Sequence, residues 1–256
     1  MNKVIDSREL DRAVNLLENS KHTAVFTGAG ISVESGIPPF RGEDGLWNEY
    51  DPDCFTIEEF RNNPAESWQI NKEVFYETFK KTSPNQAHKI LAKWEEQGLL
   101  EVVITQNIDG LHREAGSRNV VNFHGTSDEL KCMKCAQIYP YKNELLEELP
   151  PTCVKCNGIL KPNFIFFGEG IPQKAYQASL KEAEIADLFL VIGTTGEVMP
   201  ACMIPRLARR EGADIVEINT DKSNFTNTIT DIFLQGKATE VLMKLDSKIR
   251  SDNSGR

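Results

Sequence analysis

Short apolar runs alternate with helical patterns along this chain, and that alternation limits the fold more than any other feature of the sequence. Apolar runs of strand length cover residues 23–27, 102–105, 120–123, 188–193 and 214–219. Amphipathic helical periodicity covers residues 7–19, 85–97, 200–211 and 238–249. A run that is apolar on both faces, such as 188–193, is typical of a parallel strand covered by helices on both sides. The alternation therefore predicts an α/β fold built on a parallel sheet.

Four of the six cysteines form two CxxC motifs, Cys132/Cys135 and Cys153/Cys156. Two such motifs can turn four thiolates onto one ion and complete a tetrahedral set. Disulfides and redox pairs are the alternatives. The sequence shows no apolar leader and no run long enough to span a membrane, so we expect a reducing, cytoplasmic setting that favours metal. The motifs predict one structural zinc ion, with no open coordination position for a substrate.

The charge balance bears on possible partners. The chain has 29 Lys and Arg residues against 38 Asp and Glu residues, a net charge of -9. Proteins that bind nucleic acid neutralise phosphates with Lys and Arg, so this balance argues against direct nucleic-acid binding. It is compatible with a basic partner, such as a lysine-rich protein segment, although solubility alone could explain it.

A glycine turn, Gly28-Ala29-Gly30, follows the first strand run. Glycines at the end of a strand allow the backbone to approach a pyrophosphate closely. The dehydrogenase fingerprint fails here, because Val33 stands where its third glycine should be. The turn by itself leaves a nucleotide site and a plain tight turn equally open.

Polar residues also follow the other strand runs. They are Gln106, Asn107 and Asp109, then His124, then Gly193, Thr194 and Thr195, and finally Asn219. Any one of them could be a capping or turn residue. The carboxyl ends of parallel strands lie at one edge of a sheet, and ligands bind there. Four strand ends with the same character therefore favour a single binding crevice.

Together these motifs resemble the sirtuin family of NAD-dependent protein deacylases. The resemblance runs from about residue 10 to residue 245. The matching segments are the NAD motif at 28–32, the cofactor loop at 36–41, the nicotinamide motif at 105–109, the histidine motif at 123–125, the peptide-binding residues at 161–162 and 167–169, and the adenosine contacts at 193–195, 218–219 and 236–238. Thr195 stands where the family usually has serine, and it retains the hydroxyl.

The resemblance implies a large Rossmann-like domain and a small domain made of a zinc ribbon and a helical insert. Residues 1–42, 82–125 and 166–250 should form the Rossmann-like domain. Residues 43–81 should form the helical insert, and 126–165 the zinc ribbon. We expect residues 251–256 to be a disordered tail.

The implied activity is NAD-dependent removal of acyl groups, acetyl above all, from protein lysines. The acyl group passes to ADP-ribose and nicotinamide is released, so the enzyme is formally a transferase. NAD is the co-substrate, and one structural zinc ion is expected per chain. The partner is a protein or peptide with an acylated lysine, held as an extended strand between residues 164–169 and 197–199. No membrane association is expected.

The resemblance also assigns roles to residues. His124 is the implied proton acceptor for a ribose hydroxyl, and Asn107 and Asp109 position the nicotinamide and its ribose. The implied NAD contacts are Gly28, Ala29, Gly30, Ser32, Phe40, Arg41, Trp47, Gln106, Asn107, Ile108, Asp109, His124, Gly193, Thr194, Thr195, Asn219, Thr220 and Ala238. The implied substrate contacts are Phe164, Ile165, Phe166, Gly168, Glu169 and Val198. His22 and His88 are expected at the surface, and His112 without a partner for proton transfer.

Relatives that prefer acidic acyl groups carry a Tyr-x-x-Arg pair, and the corresponding residues here are Asn71 and Val74. Without the arginine no cation holds a carboxylate, so uncharged acyl groups are expected. Mono-ADP-ribosyl transfer or removal of long acyl chains on the same fold remains an alternative. Two further rivals belong to other classes. A zinc-ribbon binding module would explain the cysteines but not the polar strand ends. An NAD dehydrogenase would require the fingerprint that fails here.

Overall fold

The computed structural model describes residues 6–40, 42 and 45–253, and the side chains among them up to residue 249. In chain order the strands are β1 (Thr23–Thr27), β2 (Val102–Thr105), β3 (Val120–Asn122), β4 (Gly125–Cys132), β5 (Ile138–Pro140), β6 (Leu160–Phe164), β7 (Leu188–Ile192), β8 (Asp214–Asn219) and β9 (Ile232–Gln235). The helices are α1 (Ser7–Asn19), α2 (Ile57–Asn62), α3 (Pro64–Asn71), α4 (Glu77–Phe79), α5 (Gln86–Glu96), α6 (Leu111–Glu114), α7 (Gln173–Ile185), α8 (Met203–Glu211) and α9 (Ala238–Asn253).

The main sheet confirms the predicted α/β architecture. Its strand order is β3-β2-β1-β7-β8-β9, and every adjacent pair is parallel. Counted within this sheet, the order is 3-2-1-4-5-6, which is the order of the Rossmann fold. The direction of winding reverses between β1 and β7, so a crevice opens beyond their carboxyl ends.

Helices cover both faces of this sheet, as the apolar strand runs predicted. Side chains alternate along each strand, so Val25 and Leu190 face one core while Phe26 and Phe189 face the other. Helices α1, α5 and α9 close the first core, and α7 and α8 close the second. Asp6 caps α1 and Asn85 caps α5 through side-chain oxygens that accept backbone N–H bonds, which fixes where these helices begin.

A third core lies outside the main sheet. It joins Phe60, Trp68 and Phe75 from the region of α2 and α3 to Leu160 and Phe166 from the region of β6. The second sheet, β5-β4-β6, is antiparallel and contributes to this core. Trp68 ties the two parts together, because its indole N–H donates to the Leu160 carbonyl at 2.7 Å. The two segments therefore share a core that is separate from the two cores of the main sheet.

Several elements differ from the sequence-based expectations. Helix α9 continues to Asn253, so residues 251–253, expected in a disordered tail, are helical instead. Helix α8 begins at Met203 rather than at residue 200. Strand β9 and helix α7 were not predicted, because neither β9's partly buried pattern nor α7's weak amphipathicity gives a clear period. Within the described residues, no helix is both long enough and apolar enough to cross a membrane.

Candidate functional site

The glycine turn after β1 packs directly against the end of β7. The Gly28 amide donates to the Ile192 carbonyl at 3.0 Å, and the Gly30 amide donates to the Gly193 carbonyl at 2.9 Å. A Cβ atom on Gly28 would lie 2.7 Å from the Gly193 oxygen, and one on Gly30 would lie 2.6 Å from the Gly193 Cα. These glycines are therefore needed for backbone packing between the ends of β1 and β7, where the winding of the sheet reverses. This need is in addition to the close ligand approach that the sequence suggested.

Replacing Gly193 by alanine should test this junction. Gly193 has φ +64°, and a Cβ atom there would lie 2.5 Å from the Ile31 nitrogen, so both strain and a clash are expected. We expect KM for NAD to rise by about 10-fold or more, because relieving the clash must displace the glycine turn, and misplacing a site by about 1 Å can cost about 100-fold. Gly212→Ala is the matched control: Gly212 has φ +108° but no atom within 4 Å of its added Cβ. Equal effects on NAD binding in the two variants would contradict the packing argument.

A cleft of about 660 Å³ lies at the carboxyl edge of the main sheet and reaches the third core. Of the residues predicted to contact NAD or substrate, the following line it: Gly28, Ala29, Gly30, Phe40, Trp47, Gln106, Asn107, Ile108, His124, Phe164, Ile165, Phe166, Gly168, Glu169, Gly193, Thr194, Thr195, Val198, Asn219, Thr220 and Ala238. Ser32 and Asp109 instead line an adjoining pocket of about 20 Å³. Arg41 lies outside the described residues.

Asn107 stands between the cleft and this smaller pocket, and it lines both. Its side-chain amide donates to the Gly28 carbonyl at 3.2 Å and to the Ser32 hydroxyl at 3.1 Å. The Ser32 hydroxyl donates in turn to Asp109 at 2.7 Å. Burial raises the pKa of Asp109, although these hydrogen bonds oppose the rise. The network fixes an amide and a carboxyl group at the end of a small, mostly apolar recess.

His124 follows β3 and faces the cleft. Its Nδ1 lies 3.1 Å from the Gln106 carbonyl, which can only accept, so Nδ1 carries the proton. The other ring nitrogen, Nε2, is then a base in the neutral imidazole. Burial lowers the pKa of His124 below its ordinary value, and the hydrogen bond to Gln106 opposes this only in part. A neutral base is therefore present near pH 7.

Two other histidines lie beneath the glycine turn, and the expectation that His88 lies at the surface is wrong. His88 is fully buried instead of lying at the surface, and its ring centroid is 4.8 Å from that of His112. His112 is also buried, and its Nε2 lies 3.0 Å from the Thr27 hydroxyl, which is not a partner for proton transfer. Burial lowers the pKa of His88 to about 4 and the pKa of His112 well below its ordinary value. Both are neutral polar groups of the interior.

The ends of β2, β7 and β8 are hydrogen-bonded to one another across the crevice. Gln106 donates through its side-chain amide to the Thr194 hydroxyl at 3.0 Å. Asn219 donates to the Thr194 carbonyl at 2.9 Å. The prediction that these strand ends form one crevice is therefore confirmed. Sequence reasoning missed Glu34, Asp221 and Lys222, which also line this end of the cleft, because isolated surface charges carry no periodic signal.

Aromatic rings wall the opposite end of the cleft. Trp47 lies with its ring centroid 5.3 Å from Phe40, 5.4 Å from Phe55 and 5.8 Å from Phe167. Phe55 and Phe75 line the cleft but were not among the predicted contacts, whereas Phe167, from the predicted peptide-binding segment 167–169, lines it as well. Of the run from Phe164 to Phe167, Phe164 and Phe166 are buried while Phe167 is 45% exposed. The Ile165 amide donates to the His124 carbonyl at 2.8 Å, so this wall is tied to the histidine.

The four predicted metal ligands converge in the small sheet. The sulfur atoms of Cys132, Cys135, Cys153 and Cys156 all lie within 4.8 Å of one another. Cys132 and Cys156 are 3.5 Å apart, and Cys135 and Cys153 are 3.7 Å apart. Tetrahedral zinc with Zn–S bonds of about 2.3 Å requires sulfur separations of about 3.8 Å, whereas a disulfide requires about 2.05 Å. The sulfur positions therefore fit one zinc ion and no disulfide.

Strand β4 connects this cysteine cluster to the cleft. Ser127 donates to the Ile108 carbonyl twice, from its amide at 3.0 Å and from its hydroxyl at 2.7 Å. Gly125 crosses β6 so closely that an added Cβ would lie 2.2 Å from the Asn163 oxygen. The small sheet thereby holds the loop that carries Asn107 and Asp109.

Comparison with known proteins agrees with this geometry. The model of the family described as "Sir2 family" matches residues 28–200. The "NAD-dependent protein deacylase 2" of Pyrobaculum aerophilum is 45% identical over 240 residues, covering 92% of this chain and 94% of the relative. The "NAD-dependent protein deacylase" of Pyrococcus abyssi is 43% identical over 241 residues, covering 92% of this chain and 96% of the relative.

Solved structures show the same likeness. A complex of a mutant Sir2 homologue with ADP-ribose aligns with a TM-score of 0.91 and 36% identity, covering 96% of this chain and 98% of that one. A complex of Sir2 with a p53 peptide and NAD+ aligns with a TM-score of 0.85 and 35% identity, covering 93% and 98% of the two chains.

Proposed function

This chain belongs to the Sir2 family, and we infer from that membership that it is an NAD-dependent protein deacylase. It transfers the acyl group of a modified protein lysine to ADP-ribose and releases nicotinamide. The observation that carries this function is the convergence of the glycine junction, Asn107 and His124 on one cleft. A dehydrogenase would need no such base beside the ribose, and a zinc-ribbon binding module would need no cleft.

NAD supplies an ADP-ribosyl group joined to nicotinamide, a leaving group. The backbone of residues 28–30 holds the pyrophosphate, because its small residues let phosphate oxygens approach the backbone closely. Asn107 and Asp109 hold the nicotinamide carboxamide and the adjoining ribose at the boundary between the cleft and the small pocket, both of which Asn107 lines. Thr194 and Asn219 hold the adenosine end. The preformed hydrogen bonds among these side chains reduce the entropy lost when the cofactor binds.

His124 takes a proton from a ribose hydroxyl. The Gln106 carbonyl fixes its tautomer, so Nε2 is the base and the ring cannot turn without losing a hydrogen bond. The depressed pKa keeps the imidazole neutral at physiological pH. Positioned general bases of this kind contribute about 10²–10⁴-fold to rate. Loss of that proton activates the ribose oxygen that receives the acyl group, and one water molecule is consumed as the lysine amine is freed.

The acylated peptide lies as an extended strand between residues 164–169 and 197–199, with its acyl-lysine among the aromatic rings of the cleft. An apolar wall suits the methylene stem of lysine once acylation has removed its charge. The two positions where relatives that prefer acidic acyl groups carry the Tyr-x-x-Arg pair hold no charge here, because Asn71 is fully buried and donates to the Ser67 carbonyl at 2.7 Å, and Val74 is buried. Acetyl and other uncharged groups are therefore the preferred substrates.

Peptide-dependent nicotinamide release is the direct test. The protein should release nicotinamide from NAD when an acetyl-lysine peptide is added, and mass spectrometry should detect O-acetyl-ADP-ribose. The same peptide carrying succinyl-lysine should give kcat/KM at least about 10-fold lower, since an unpaired carboxylate loses about 1.5–3 kcal/mol of charged hydrogen bonding. ADP-ribose attached to protein would instead support transfer to protein, and preference for a long-chain acyl peptide would support the other alternative.

The four thiols must stay reduced to bind zinc, so a cytoplasmic location suits this enzyme. The net charge of -9 favours a basic protein segment as partner over direct contact with nucleic acid.

A further inference from the structure

A buried lysine lies directly behind the wall of the cleft that should hold the peptide. Lys161 is only 7% exposed, which is rare for a lysine. Its Nζ donates to the Pro162 carbonyl at 2.9 Å and to the Phe164 carbonyl at 2.6 Å, and it pairs with Glu169 at 2.9 Å. An ammonium group has three donors, and these three acceptors use all of them.

Glu169 completes a closed arrangement around this ammonium group. The carboxylate oxygen that pairs with Lys161 also accepts the Phe166 amide at 2.9 Å. The ring of Phe166 lies beneath Nζ, with 4.3 Å between Nζ and the ring centroid. The chain thus leaves β6 and turns around the Lys161 ammonium group, to which Glu169, eight residues further on, is bonded. Residues 164–169 of this turn all line the cleft.

The contacts exceed what the fold of β6 needs. Strand β6 is already held by β4, and the Phe167 backbone is held by Phe55 and Ile57. The cation binds the carbonyl groups of Pro162 and Phe164 at the end of β6, and through Glu169 it is linked to the Phe166 amide beyond the strand. Burial lowers the pKa of Lys161, while Glu169 opposes the fall, so the charged form depends on its partner. Removing the cation would leave buried acceptors and a carboxylate facing one another without compensation.

We propose that Lys161 and Glu169 are positioning residues that hold the 164–169 segment in the shape that accepts the substrate peptide. Neither needs to touch the reacting atoms. The proposal rests on the proposed deacylase function for its meaning, since it concerns the peptide side of that cleft. It assigns Glu169 an internal role in addition to its place in the cleft wall.

The first test is Lys161→Met, which keeps the length and apolar stem of the side chain and removes the cation. KM for the acetyl-lysine peptide should rise by about 10-fold or more, because removing one member of a buried ion pair is strongly unfavourable. KM for NAD should change less than about twofold. Lys131→Met is the matched control, because Lys131 pairs in register with Lys161 on the neighbouring strand but is exposed. Its peptide KM should equal that of the unaltered enzyme.

The second test is Glu169→Gln, which serves if Lys161→Met does not fold. Peptide KM should rise, and hydrogen exchange at the Phe166 amide should become faster because its acceptor loses charge. In the double variant the two effects on peptide KM should not add, since each substitution breaks the same ion pair between Lys161 and Glu169. An unchanged peptide KM in the folded variants, additive effects, or unchanged exchange at Phe166 would overturn the proposal.

Failure of the deacylase function would look different. The unaltered protein would then show no peptide-dependent nicotinamide release, yet hydrogen exchange at Phe166 would still report whether Glu169 holds the segment.

Discussion

His124→Ala should lower kcat for deacylation by about 10²–10⁴-fold, the range expected when a positioned general base is removed. Net release of nicotinamide in the presence of an acetyl-lysine peptide should fall with it. KM for NAD should change little, because the strand-end hydrogen bonds among Gln106, Thr194 and Asn219 do not involve the imidazole. Steady-state measurement of nicotinamide and O-acetyl-ADP-ribose checks this result.

The matched control is His22→Ala. His22 precedes β1 at the opposite edge of the sheet, where it contacts Glu182 at 2.7 Å. Its replacement should leave kcat unchanged. Full peptide-dependent turnover in His124→Ala would contradict the role of His124 as proton acceptor. It would not contradict the proposal that NAD binds in the cleft.

The role of His124 as a base also predicts the direction in which activity changes with pH. The base must be neutral, so activity should fall as pH drops through the pKa of His124. Because burial lowers that pKa below its ordinary value, the acidic limb should lie below about pH 6.5. His124→Ala should lose this limb in its residual activity. A limb above that value in the free enzyme, measured as kcat/KM, would contradict the burial argument.

The strand ends were predictable because each carries its signal locally. A buried run followed by a polar residue or a glycine can be read without knowledge of the rest of the chain, and parallel strands bring such ends to one edge. Asn107, His124, Gly193 and Asn219 were placed correctly at the cleft for this reason. The CxxC spacing was sufficient for the zinc ligands, because two residues between thiolates already dictate their geometry.

Other features depend on tertiary contacts that no local pattern encodes. His88 sits on α5 at a position that could equally face solvent, and only the approach of His112 and the glycine turn buries it. Phe55 and Phe75 line the cleft through a core shared by two distant segments. The ion pair between Lys161 and Glu169 joins two residues of unremarkable sequence context. Burial of a polar group is decided by what packs over it.

Loss of the zinc ion should have the largest effect on folding. Structural zinc sites contribute about 10–16 kcal/mol of apparent binding free energy, which small metal-bound modules use to fold. Cys153→Ser should therefore lower the zinc content from about one per chain toward zero. Hydrogen-exchange protection should be lost from residues 126–165 and from the part of the third core packed on them. Protection of β1, β7 and β8 should persist, because their side chains belong to the two separate cores of the main sheet.

Deacylase activity should fall in Cys153→Ser even though no cysteine of the cluster lines the cleft. Strand β4 runs from Gly125, beside His124, to Cys132, and its Ser127 holds the Ile108 carbonyl between Asn107 and Asp109. Unfolding of the ribbon releases that loop and the wall at residues 164–169 together, so kcat and peptide KM should both worsen. Cys54→Ser is the control, since Cys54 lies outside the cluster. Full activity in a zinc-free, ribbon-unfolded protein would show that the cleft is held by the main sheet alone.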